Sequence, residues 1–262
     1  MIPDPVMAEK PGRANEPGPE LFFQLASADR NRILDYLRVE NLHLSQIAKR
    51  LDMTNTEALR QLQRLTESAL IQRGPDGSYS ITKYGELVFH LSLSLDYVSA
   101  HRDYFLNHNV LCLPRQFLDR MGVLSRASLT RDAMEGVNNM RRLVQEAKEY
   151  AWGATIETFP DHGPVIKRIT SEGATIRALG RESLLPPRAY TRNPGVEWRA
   201  SEEVPVNLIL NEKEAGMNFP LAGGKMDNIG FYGRDPEFYR WVKDVFLYYW
   251  DRGKRNPSPK TQ

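Results

Sequence analysis

Along residues 44–82 the spacing of apolar positions changes from a helical period to an alternating one. Leu44, Ile47, Ala48 and Leu51 share one face of a short helix, and Ala58, Leu62, Leu65 and Ala69 share one face of a second. Asp52, Met53 and Thr54 make a three-residue turn between them, with Thr54 placed to cap the second helix by accepting a bond from an early backbone N–H. Residues 70–73 and 78–81 then read as short strands. Gly74-Pro75-Asp76-Gly77 joins them as a turn with conformationally free glycines at both ends.

Helix, turn, helix and hairpin in that order predict a winged helix-turn-helix head. With positions 58, 62, 65 and 69 inward, Asn55, Thr56, Leu59, Arg60 and Gln63 lie on the other side of the second helix. Such a face suits the major groove of double-stranded DNA. Arg pairs with guanine O6 and N7, Asn or Gln with adenine N6 and N7, and Thr offers a methyl contact or a hydroxyl bond. Lys49 and Arg64 complete the DNA-facing set on the helices. Arg73 and Tyr79 flank the wing tip, where contacts to phosphate or the minor groove position a protein without reading sequence. Glu57 fits less well, since a carboxylate repels phosphate, although it can accept from cytosine N4 or steady Arg60 and Arg64. A helical pair with a hairpin also serves protein docking. The alternative reading is therefore an interaction adaptor of the transcription machinery.

Upstream of this stretch, Phe22, Phe23, Leu25, Ile33, Leu34 and Leu37 mark a supporting helix that completes a three-helix head. Thr82 caps a long helix expected from Lys83 to about Asn107. Its Val88, Leu91, Leu95, Val98, Arg102 and Phe105 step by 3, 4, 3, 4 and 3, the heptad spacing of a helix that pairs with a second copy. Val88, Leu91, Leu95, Val98 and Phe105 are the expected dimerisation residues. Pro114 opens a short connector helix that Gly122 ends, and a helix over 131–149 turns Ala133, Val137, Met140, Val144 and Ala147 inward. From residue 150 strands are expected at 151–156, 174–179, 196–200, 206–210, 216–219 and 228–232. A helix over 164–169, stopped by Gly173, joins the first two strands and predicts their parallel pairing. Asp235 caps a final aromatic helix with Pro236 at its first position. The fold class is thus an α+β N-terminal winged helix-turn-helix joined by long helices to a C-terminal α/β domain. The expected parts are a disordered leader (1–19), the head (20–82), a dimerisation and connector region (83–149), an effector domain (150–252) and a basic disordered tail (253–262).

Composition sharpens this outline. The chain has 262 residues, of which 41% are hydrophobic, enough for two packed cores. Its first residues carry prolines and charges where a signal peptide needs an apolar run, so a cytoplasmic location is expected and no membrane partner. A lone cysteine, Cys112, excludes an internal disulfide and leaves no thiol cluster for a metal. The net charge is only +2, and residues 20–110 carry 10 Lys+Arg against 11 Asp+Glu. Within 43–83, six basic residues meet four acidic ones. So small a local excess leaves one copy few phosphate partners, which argues for binding as a pair.

The helix-turn-helix LxxIAxxLxMT, the wing ending in ITKYGELV, the connector LCLPRQFLDRMGVLSRA, the passage QEAKEYAWG, SEGATIRAL and the closing DPEFYRWVKDVFLYYWDRG together resemble archaeal winged-helix transcriptional regulators of the methanogenesis-regulator type. The resemblance covers nearly all of 20–252. It implies a homodimeric, sequence-specific regulator whose C-terminal domain is similar to a non-catalytic relative of the phospholipase D fold, as in the TrmB regulators. Phospholipase D chemistry needs His and Lys two residues apart. None of His43, His90, His101, His108 or His162 has that partner, Lys167 lying too far from His162. No GxSxG, P-loop or HExxH motif occurs either, so the expectation is no enzyme, no catalytic residue, no cofactor and no metal. A small-molecule effector remains an expected partner of the α/β domain. Arg177, Arg181, Arg199, Asn207 and Asn211, on or just beyond its strands, carry groups able to hold an anionic or hydroxylated metabolite.

Overall fold

The computed structural model describes residues 18–156, 163–184 and 193–255. The expected leader, apart from Gly18 and Pro19, lies outside them, as do His162 and the last seven residues of the expected tail. The chain divides into two compact units, residues 1–92 and 93–262, a mixed α/β architecture with a helical N-terminal part and a C-terminal sheet.

In the first unit, α1 (Gly18–Leu25), α2 (Ala28–Val39), α3 (Leu44–Leu51) and α4 (Asn55–Glu67) precede an antiparallel pair, β1 (Ile71–Arg73) and β2 (Tyr79–Ile81). Ile33, Leu34, Ile47, Leu62, Leu65 and Leu70 are fully buried together. Side-chain bonds fix the starts of α2, α3 and α4: Ser27 Oγ accepts from Arg30 N, Gln46 Oε1 from His43 N, and Thr54 Oγ1 from Glu57 N. Ala69, expected on the inner face of α4, is instead exposed and left-handed at φ +56, because the helix has already ended and the chain is turning into β1. Leu42 adds a third, single-residue rung to the hairpin, exchanging both backbone bonds with Tyr79.

The helix expected to run unbroken to Asn107 is two: α5 (Lys83–Ala100) and α6 (Arg102–Asn107). At the break, His101 Nδ1 is bonded to Tyr97 O. The start of α5 is clamped to the hairpin, since Thr82 Oγ1 donates to the carbonyls of Ala69 and Leu70 and accepts from Gly85 N. A Cβ on Gly85 would stand 2.0 Å from Leu70 O, so only glycine lets the helix approach so closely.

The second unit is built on an eight-stranded sheet ordered β10-β6-β5-β4-β7-β8-β9-β3. Its parallel part is β4 (Tyr150–Thr155), β5 (Thr175–Gly180) and β6 (Val196–Ala200), with the crossover between β4 and β5 made by α9 (Gly163–Ser171). An antiparallel meander of β7 (Asn207–Asn211), β8 (Ala215–Asn218) and β9 (Gly230–Gly233) continues from β4. The two edges are β3 (Ser128–Leu129) and β10 (Lys254–Arg255). Lys254 and Arg255, assigned above to a tail, pair with Ala200 and Arg199 instead.

One face of this sheet is covered by α10 (Pro236–Arg252), whose Phe238, Trp241, Val242, Val245 and Phe246 are fully buried. The other carries α8 (Ala133–Gln145) and α9, closing a smaller core around Leu143, Ile169, Ile176 and Tyr232. On α8 the buried side is Gly136, Leu143 and Val144, while Ala133 is exposed. Asp132 caps this helix, which therefore starts at Ala133, two residues later than the reading from 131, and leaves Ala133 in its open first turn. The short connector α7 (Arg115–Leu118) follows Pro114, but Gly122 lies inside a following 3₁₀ turn and does not terminate it.

Candidate nucleic-acid interface

Helix α4 presents the candidate surface, and its placement follows from three sets of contacts. Ala58, Leu62 and Leu65 anchor it at zero exposure. A reciprocal capping box fixes its first turn: Glu57 Oε2 accepts from both Thr54 N at 3.0 Å and Thr54 Oγ1 at 2.9 Å. These bonds, the backbone one first, hold the Glu57 carboxyl below its ordinary range, so the charge left without a clear role belongs to the helix cap. Arg30 then ties the helix to its neighbours. Its guanidinium donates to Gln24 O, Phe23 O and Gln61 Oε1 at 2.8, 2.7 and 2.9 Å. Burial, together with nearby Arg64, lowers its pKa, while the three acceptors engage one N–H on each of its nitrogens. The role of Arg30 is not legible from sequence, because it depends on the turn that brings Phe23 O and Gln24 O back over α2 and on Gln61, 31 residues away. The one available signal was a basic residue three positions after the Ser27 cap.

With this frame set, Asn55, Thr56, Arg60 and Gln63 are all exposed on the side away from the core. Lys49 on α3 is exposed as well. Arg64 is exposed but leans over the Phe23 ring, 5.8 Å from its centroid. At the hairpin tip Arg73 is exposed and lies 5.8 Å from the Tyr79 ring, and Asp76 Oδ1 accepts from Ser78 N and Oγ to close the turn. Tyr79 requires a correction. It is 6% exposed and packs in the core, its backbone bound to Leu42, so its ring supports the wing from beneath and has no outward surface to offer DNA.

The proposed pairing residues on and after α5 divide in the same way. Leu91, Leu95 and Val98 are 60%, 60% and 42% exposed, joined by Tyr84 and Leu87 at 46% and 57%. Val88, by contrast, is buried in the first core, and Phe105 packs against the larger core of the second unit near Phe231. Both belong to intramolecular packing. A heptad alone could not separate them from an interface, because inward and outward faces of one helix repeat at the same interval.

The five expected ligand residues do not present a common set of free groups. Asn207 Oδ1 accepts from Ile156 N, and buried Asn211 donates to Leu143 O and accepts from Lys213 N and Glu214 N. Arg199 is buried against Trp250, donating to Trp250 O and to Glu197. These three are occupied as internal hydrogen-bonding groups, which corrects their reading as ligand contacts. Arg181 is exposed. Arg177 stands over the Trp152 ring at 4.7 Å, with Glu197 as far as 3.9 Å away, and Lys243 approaches the same indole at 5.1 Å.

Among the described residues no group of three or more His, Cys, Asp or Glu could hold a metal ion, and no helix is long and apolar enough to cross a membrane. Cys112 is half-buried, and burial pushes its thiol up to about 11.

Residues 20–102 match the family described as HVO_A0261 N-terminal domain. The methanogenesis regulatory protein FilR1 of Methanothrix harundinacea is 24% identical over 160 residues, 58% of this chain and 36% of that protein. The chain thus spans about a third of the length of this curated relative. Among solved structures, TrmBL2, an archaeal chromatin protein, aligns at 13% identity and a TM-score of 0.43 over 91% of this chain and 99% of that one. NucT from Helicobacter pylori aligns at 13% identity and a TM-score of 0.40 over 49% of this chain and 98% of that one.

Proposed function

We propose, from the premise that this chain is similar to archaeal transcriptional regulators of the methanogenesis-regulator type, that it is a sequence-specific, DNA-binding transcription regulator. The first unit acts as a winged helix-turn-helix, with α4 in the major groove and the β1–β2 hairpin as the wing. The observation that carries this reading is the face of α4: Asn55, Thr56, Arg60 and Gln63 are exposed together on a helix capped at Thr54 and pinned through Arg30. Arg60 reads bases there, while Lys49 and Arg73 hold phosphate.

Two copies bind as a homodimer through the exposed row Leu91, Leu95 and Val98, each head reading one half-site. Pairing offsets the weak charge of a single head, since each added phosphate contact releases counterions. Ligand response falls to the second unit, where Arg181 is the expected residue that stands exposed, while Arg177 is held over Trp152 and beside Glu197. No chemical step is assigned to this unit.

Footprinting on the DNA upstream of the protein's own gene tests the reading. Salt-sensitive, sequence-selective protection is expected. Arg60→Ala lowers the ratio of specific to random binding by roughly ten- to a hundredfold, as loss of a bidentate base contact does. Arg73→Ala weakens both alike. Equal loss of specific and random binding in Arg60→Ala removes its base-reading role. The near-neutral charge of residues 20–110 supports a second reading, a docking adaptor of the transcription machinery. Co-purification with polymerase subunits and no footprint favours that one.

A further inference from the structure

The outward face of α4 carries one large apolar side chain among its polar ones. Leu59 is 37% exposed, whereas Ala58, Leu62 and Leu65 on the same helix are fully buried. It stands four residues after Asn55 and four before Gln63, so the three share one row along the helix. Both amide residues are exposed, and their side chains have no hydrogen-bond partner among the described residues. Neighbouring Gln61 differs, since its amide oxygen is taken by Arg30. The row therefore presents amide, isobutyl and amide groups, all uncommitted.

We propose that Leu59 is a specificity-determining residue that packs on a thymine C5-methyl group, so that the row Asn55, Leu59, Gln63 selects A·T base pairs. The inference rests on the DNA-reading role proposed for α4 and adds the base composition it selects. Each group matches the chemistry that the major groove of an A·T pair displays. The amides can bond adenine N6 and N7 bidentately, and an apolar side chain is attracted by the thymine methyl, which a G·C pair lacks. Length fits as well. Eight residues of α-helix rise about 12 Å, the distance covered by three to four base steps at about 3.4 Å each. Thr56 and Arg60 lie beside this row, so a G·C pair contacted by Arg60 would flank the A·T segment.

The test begins with full-length protein and a pool of random duplex DNA, from which bound sequences are enriched. A·T pairs are expected over three to four adjacent positions of each half-site. Replacing thymine by deoxyuridine there, one position at a time, removes only the methyl group. At one or two positions affinity should fall about fourfold, the equivalent of one buried methyl-sized group at ~0.8 kcal/mol. Leu59→Ala should lose a similar factor on thymine DNA and no longer distinguish thymine from uracil, while Leu59→Met retains the distinction. Because Leu59 is outside the core, its substitution leaves the helix packed, which circular dichroism verifies. A preference for thymine that survives in Leu59→Ala overturns the proposal. So does an enriched sequence insensitive to uracil at every position, or one with G·C pairs throughout. If no sequence is enriched at all, the base-reading function itself fails and takes this inference with it.

Discussion

At the scale of single residues, the polar groups that hold the structure are those with two jobs for one side chain. Glu57 closes the capping box on Thr54 through two accepted bonds, and its depressed pKa is the titration signature of those bonds. Glu57→Ala is expected to lower the urea midpoint of the head, because it opens the capping box at the start of α4. Glu214 is the stronger case. Burial pushes its carboxyl up, yet bonds from Arg142 at 2.6 and 2.9 Å and from Arg234 at 3.1 Å outweigh that and hold it below the ordinary carboxyl range. A carboxyl lowered on folding contributes stability that is complete above its unfolded pKa and disappears as pH falls through the folded one. The second unit should therefore lose stability below about pH 4.5, and Glu214→Gln should flatten that acid limb when melting is followed against pH. The Glu214–Arg142 pair was illegible beforehand, since its members are 72 residues apart.

At the scale of elements, α5 shows how a correct period leaves the face undecided. Val88 is buried and Leu91, Leu95 and Val98 are exposed, although one heptad pattern runs through them all. Two substitutions separate the roles. Leu91→Glu with Leu95→Glu should turn a dimer into a monomer by light scattering at micromolar concentration with the fold intact, whereas Val88→Glu should unfold the head by burying an unpaired charge. A monomeric wild-type protein would remove the pairing row. Gly85 sets a different limit, since a methyl group there meets Leu70 O at 2.0 Å. Gly85→Ala should destabilise the hairpin and the start of α5 despite the better helix propensity of alanine, measurable by hydrogen exchange at Thr82, whose N–H bonds Leu70 O. The elements read well from sequence were those with local signals: α4 begins at Asn55 after Thr54 and α10 at Pro236 after Asp235; β6 also spans Val196–Ala200 as expected. The strand ends elsewhere shifted by a residue, as at β7, because ladder bonds and not hydropathy define them.

At the scale of the whole molecule, two units each close their own core, and all four tryptophans, Trp152, Trp198, Trp241 and Trp250, belong to the second. Leu62→Ala should therefore lower the stability of the head by ~2–5 kcal/mol, visible in far-ultraviolet circular dichroism, with little change in the tryptophan emission transition. A coincident shift of both signals would mean that the units unfold as one. Sequence alone determined the kind of most elements, the caps at Thr54 and Asp235, the parallel start of the sheet and the outward set Asn55, Thr56, Arg60 and Gln63. All of these depend on residues within a turn or two of one another, or on a chain-handedness rule that one crossover satisfies. Only the tertiary structure decided that Tyr79, Val88 and Phe105 face inward, that Asn207, Asn211 and Arg199 are engaged internally, and that Lys254 and Arg255 form an edge strand. Those assignments turn on partners tens of residues away. An amphipathic pattern states that a side chain has an inside and an outside, whereas the contact that makes it inside is supplied by another part of the chain.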